Sequence, residues 1–140
     1  LNEAGSFAAA EAVLRESLAL RATADAYNNL GVALNGLGRP SDAVGQFGAA
    51  LALNSASAEA WFNLGVAQAM LGDVTQARTA YQRGLALMPG EPRALENLAL
   101  VEALAGRLDL AVRYVTEALV RAPGSAALHN TLGRAYLGLG

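Results

Sequence analysis

Four short segments of the chain repeat one arrangement of apolar and polar positions at a spacing of 34 residues. They are Tyr27-Asn28-Asn29-Leu30-Gly31, Trp61-Phe62-Asn63-Leu64-Gly65, Leu95-Glu96-Asn97-Leu98-Ala99 and His129-Asn130-Thr131-Leu132-Gly133. A second register, Gly38, Gly72, Gly106 and Gly140, keeps the same step, and Gly5 extends it backwards by 33. Ala10, Ala43, Ala77 and Ala111 behave alike, so one residue is missing early, and the turn Leu20-Arg21-Ala22-Thr23 is its expected place. Self-similarity at such a period marks stacked supersecondary units, each too small to bury its own apolar face.

Two helical stretches fit into each period. First (A) helices are predicted over 24–37, 58–71, 92–105 and 126–139; second (B) helices over 6–20, 41–53, 74–87 and 108–121. Thr23, Ser57 and Ser125 precede A helices, where a side-chain oxygen can accept from free backbone N–H groups. Asp25 and Glu59 fall in first turns, where the helix dipole favours a negative charge. Pro92 takes a first-turn position that needs no N–H. Gly38, Gly72 and Gly106 supply the left-handed residue that closes a helix.

The run Trp61, Leu64-Gly65, Gly72, Ala77, Tyr81, Gly84 and Pro89 resembles the consensus of the tetratricopeptide repeat (TPR) family, and the resemblance covers the whole chain. It implies an all-α, right-handed solenoid of about eight helices in a single array over 1–140. The array divides into a partial repeat 1–23, full repeats 24–57, 58–91 and 92–125, and a partial repeat 126–140. The chain depicts itself as an excised piece, since Leu1-Asn2-Glu3 has neither an initiator methionine nor a basic leader. Gln68 and Glu102 depart from the family by standing where a large apolar residue is usual, matched here by Leu34 and Tyr136. They are expected to loosen the middle of the array.

Composition narrows the chemistry. The apolar fraction is 54% but aromatics reach only 6%, so the core relies on close backbone approach. Twelve acids face ten bases, all arginine, and the dispersed charge lacks the basic stripe that phosphate backbones require. No nucleic-acid partner is expected. The absence of cysteine excludes disulfides and thiolate chemistry. No apolar run approaches the roughly 18 residues of a membrane span. His129 is the one histidine and sits in the register of Tyr27 and Trp61, a packing position. No catalytic residue, metal site or cofactor is expected, and the fragment does not read as an enzyme.

In the family, residues flanking the Leu-Gly leucine of the A helices face a concave groove. One before that leucine stand Asn29, Asn63 and Asn97, although asparagine costs about half a kcal/mol against alanine in a helix interior. The pattern resembles the asparagine ladder of the TPR superhelix of O-GlcNAc transferase, whose amides are implied to grip the main chain of an extended peptide; the alternative is that the asparagines bond to neighbouring helices or are copies left by duplication. In the ladder reading, changing all three to alanine would weaken peptide binding about ten- to a thousandfold. Asn28, Phe62, Met70 and Arg93 are the further candidates for the peptide-binding surface. A dicarboxylate clamp for acidic C-termini is not expected: Asn63 and Arg93 match it, but Asn28, Val32 and Asn97 do not.

The leading expectation is thus a scaffold that binds a partner's extended segment. The alternatives are self-association through exposed terminal helices, with Leu128, Leu132, Tyr136 and Leu139 forming an open apolar face, and service as the accessory domain of a larger enzyme.

Overall fold

The computed structural model describes residues 3–139, the side chain of Leu139 excepted. Gly140, the last glycine of the register, and Leu1 and Asn2 lie outside the described residues. Within them the chain forms α1 (Glu3–Leu20), α2 (Ala24–Gly36), α3 (Pro40–Leu53), α4 (Ala58–Met70), α5 (Val74–Leu87), α6 (Pro92–Leu104), α7 (Leu108–Arg121) and α8 (Ala126–Leu139), with no strand. The short connection falls at residues 21–23, where the register loses its residue.

Local chemistry sets these boundaries. The hydroxyls of Thr23, Ser57 and Ser125 accept from the N–H groups of Ala26, Ala60 and Leu128 at 3.1, 3.2 and 3.3 Å. The A helices stop one residue before the predicted ends, because Leu37, Leu71 and Ala105 serve as C-caps. Gly38, Gly72 and Gly106 follow at φ 72°, 77° and 77°, a region in which a Cβ is penalised. That turn lets Arg39, Asp73 and Arg107 donate backbone bonds to the carbonyls of Leu34, Gln68 and Glu102. Pro40 is the first residue of α3, one before the predicted start, a position that needs no N–H.

Each helix packs on its neighbours in sequence, and successive A helices also touch (α2 on α4, α4 on α6, α6 on α8). Helices α1 and α8 do not meet. Paired helices come close because volume is exchanged across them. A methyl placed on Gly31 would lie 2.5 Å from the Phe47 ring, and one on Gly65 would lie 2.8 Å from Tyr81. In the next pair Ala99 replaces the glycine and Val115 the aromatic ring, and both are fully buried. Phe7 likewise seats on Gly36, and Phe62 on Gly84. Small-against-large packing of this kind reaches native density without a large aromatic content.

Two expectations need correction. Glu102 does not loosen the middle of the array: it is 1% exposed, Arg78 Nε donates to its Oε1 at 2.6 Å, and Arg107 Nε stands 2.6 Å from its Oε2 as an ion pair without hydrogen-bond geometry. Two guanidiniums compensate a carboxylate that would otherwise be costly to bury. At the Gln68 position the irregularity does survive, since its Oε1 is buried without a hydrogen-bond partner. The outer face of α8 is also less open than expected. Leu128 is buried with Leu95, Val115 and Ala118, and Leu132 packs against that cluster; Tyr136 stays 56% exposed.

Candidate peptide-docking cleft

The A helices place the ends of their asparagine-bearing faces beside one another. Between α4 and α6 they enclose a cleft of about 310 Å³. From α4 come Glu59, Phe62, Asn63 and Val66; from α6 come Arg93, Ala94 and Asn97. Met88 and Glu91, in the α5–α6 connection, close one end. Phe62, Val66 and Met88 give the lining an apolar part, and Glu59, Asn63, Glu91, Arg93 and Asn97 give it amides and charges.

Of the seven residues singled out by sequence, the cleft thus gathers Asn63, Asn97, Phe62 and Arg93. Asn29 is exposed on α2 and does not line it, nor does Met70, which is 51% exposed near the end of α4. Asn28 is 8% exposed and spent on the scaffold: its Nδ2 donates to Glu59 Oε1 at 3.1 Å, and its Oδ1 accepts from Asn63 Nδ2 at 3.1 Å. The asparagine row is therefore a lateral stitch between A helices as well as a surface. Thr131 fills the same place in α8, its hydroxyl 3.3 Å from Glu96 Oε1 of α6. Asn97 would reach Phe62 in that pattern, which offers no polar atom. It bonds instead to the hydroxyl of Tyr81 on α5. Burial pushes the Tyr81 phenol well above its ordinary pKa, and the bond to Asn97 pulls against that rise.

Val66 was legible in the sequence, since it stands two after the Leu-Gly leucine, a register that faces the groove. Met88 and Glu91 were not. They belong to a turn whose approach to the cleft depends on how α5 returns to α6. The register of Trp61 and His129 turns out to staple turns: Trp61 Nε1 donates to the Ser55 carbonyl at 3.0 Å. His129 Nε2 lies 2.8 Å from the Pro123 carbonyl, which can only accept. His129 is exposed and takes no part in the cleft. Among the described residues no helix is long and apolar enough to cross a membrane, and no three His, Asp or Glu side chains gather as a metal site.

The tetratricopeptide repeat family model matches residues 3–44, 33–92 and 71–126. No curated protein sequence matches. Among solved structures, a crystal structure of MamA is 28% identical over 96% of this chain and 79% of its own, with a TM-score of 0.90. The Cut9 and Hcn1 hetero-tetramer of the APC/C is 28% identical over 94% of this chain and 27% of its own (TM-score 0.88). The first TPR of Spaghetti (RPAP3), solved with the HSP90 peptide SRMEEVD, shares the fold at 15% identity over 84% of this chain and 93% of its own (TM-score 0.81). The eight described helices, their 34-residue register and the family match lead to one conclusion: this chain belongs to the tetratricopeptide repeat family, a right-handed all-α solenoid of a typically non-catalytic kind that acts as a protein-interaction scaffold.

Proposed function

We propose that this solenoid is a docking module without catalytic activity of its own, and that it holds an extended segment of a partner protein in the cleft between α4 and α6. The observation that carries the reading is the joining of an apolar lining to amides from two successive repeats. Phe62, Val66 and Met88 can desolvate one side chain of a segment while Asn63 and Asn97 hold its main chain. Helices pack about 8–10 Å apart and an extended chain advances about 3.3 Å per residue. The two amides then meet peptide groups roughly three residues apart. Asn29 adds a third contact only for a segment that runs on across α2.

A hydrogen bond of this type contributes about 0.5–1.5 kcal/mol net. Losing two should weaken binding about five- to a hundredfold. The test uses a panel of fluorophore-labelled, end-capped extended peptides, read by anisotropy against the wild type and an Asn63→Ala, Asn97→Ala double variant. The peptide that binds best should lose affinity by that factor and should shift the NMR methyl signals of Val66. Equal affinity for both proteins would place docking elsewhere.

A further inference from the structure

The two cleft amides are already half committed, and the commitment has a direction. Glu59 is a carboxylate and can only accept, so Asn28 must turn its Nδ2 towards it. Asn28 then presents Oδ1 to α4, and Asn63 must meet that oxygen with its own Nδ2. A single carboxylate thus fixes the orientation of two amides across two helices. What Asn63 has left to accept a ligand's proton is Oδ1. Asn97 is likewise half committed, sharing a hydrogen bond with the buried Tyr81 hydroxyl, and its amide keeps acceptor capacity towards the cleft.

The charged members of the lining have the same bias. Glu59 uses Oε1 for Asn28, and Glu91 uses Oε1 for the backbone N–H of Arg93 at 3.4 Å, which leaves one carboxylate oxygen on each. Four side chains therefore line the cleft with acceptors, while Arg93 is the one cation among its described lining residues. An amide ladder free to donate and accept would be indifferent to what it meets. This one is biased, because Asn63 spends one of its two N–H groups on Asn28 and two carboxylates stand beside the amides.

We infer that the cleft takes a peptide segment in which an apolar side chain is flanked by arginine or lysine, the cations and main-chain N–H groups donating to Glu59, Glu91, Asn63 and Asn97. This rests on the docking reading above and names the chemistry of its ligand. The apolar side chain lies on Phe62, Val66 and Met88, and Arg93 meets a main-chain carbonyl at the far end. An acidic segment would face two carboxylates and two carbonyl-type oxygens with a single base to offset them.

The experiment compares two end-capped peptides that differ only in the residues flanking one leucine, arginine in one and glutamate in the other. Anisotropy should show the arginine peptide binding at least about tenfold more tightly at low salt. Exchanging both cleft carboxylates (Glu59→Gln with Glu91→Gln) should remove most of that preference, and glutamine at 59 still offers Asn28 an acceptor. Asp109→Asn with Glu117→Gln, on α7 and outside the cleft, should leave it intact. The inference is overturned if the glutamate peptide binds as well, or if the α7 variant loses the preference as fully as the cleft variant. Should both peptides bind equally and both weaken in the Asn63→Ala, Asn97→Ala variant, docking stands and only its chemistry is wrong. If neither peptide binds, both readings fall.

Discussion

Leu34 and Glu102 occupy one position in the repeat, two periods apart, and both are sealed from solvent at 0% and 1% exposure. Their surroundings differ in a correlated way. Over Leu34, the acid sits on the outer helix: Glu11 of α1 pairs with Arg39 at 3.0 Å and the leucine packs beneath. In the later repeat the registers of Glu11 and Arg39 are held by Arg78 and Arg107, and the acid has moved to the buried position between them. The repeat between carries Val44, Gln68 and Asp73 at these registers, and there a glutamine oxygen is left buried without a partner. The position demands filled volume. It tolerates charge only where both neighbours have changed with it.

The sharpest way to break this comparison is to put the charge where its neighbours have not changed. Leu34→Glu would set a carboxylate beside Glu11, with Arg39 already shared between Glu11 and Asp42. A buried unpaired charge of this kind costs about 3–5 kcal/mol, read by urea denaturation. The converse exchange, Glu102→Leu with Arg78→Val, copies the residues at 34 and 44. It should leave stability within about 1 kcal/mol of wild type or raise it, whereas Arg78→Val alone should cost about 3 kcal/mol. A mild Leu34→Glu, or a costly double exchange, would show that the two corners are not equivalent.

Much of this architecture was legible from the chain. Capping residues, C′ glycines and the 34-residue register placed the helix boundaries within a residue, because each rests on local backbone chemistry; only α1, expected over 6–20, begins three residues earlier, at Glu3. The missing residue before Thr23 was found the same way. Glu102 was misread because its partners lie on α5 and in the next turn, and no local pattern ties Arg78 to Arg107. The cleft shows the same division. Asn63 and Asn97 were visible as a register, but the direction of their hydrogen bonds depends on Asn28, Glu59 and Tyr81 on other helices.

A second comparison concerns repeats that are closed on both sides and the last helix. Gly65 lies under the Tyr81 ring, and a methyl there would come within 2.8 Å of it, while a methyl on Gly133, the same register, meets nothing within 4 Å. Gly65→Ala must displace a fully buried ring and should cost about 1–3 kcal/mol. Gly133→Ala gains helix propensity without a clash and should stabilise by about 0.5–1 kcal/mol. Thermal melts of the two variants should therefore move in opposite directions. Shifts of the same sign would show that the glycine register is a matter of backbone preference and not of ring packing.

The smallest effect expected belongs to the exposed corner. The hydrogen bond from Arg15 first, then the charge and hydrogen bond of Arg39, holds the Glu11 carboxyl below its ordinary pKa, against some desolvation. A carboxyl depressed in the folded state stabilises it above the unfolded pKa, and that contribution fades as pH falls through the folded value. The corner around Leu34 should therefore keep its clasp at neutral pH and lose it in acid. Carboxyl-carbon NMR should find the Glu11 midpoint rising in Arg15→Ala and also in Arg39→Ala. Thermal melts of wild type and Glu11→Gln should differ slightly near neutrality and converge below a pH of about 4. Added salt should shrink the same difference, because the arginine ends of the clasp are open to solvent and screened. A Glu11 midpoint that ignored both arginines would mean that the pairing over Leu34 does not persist in solution, and the contrast with the sealed Glu102 corner would then be larger than drawn.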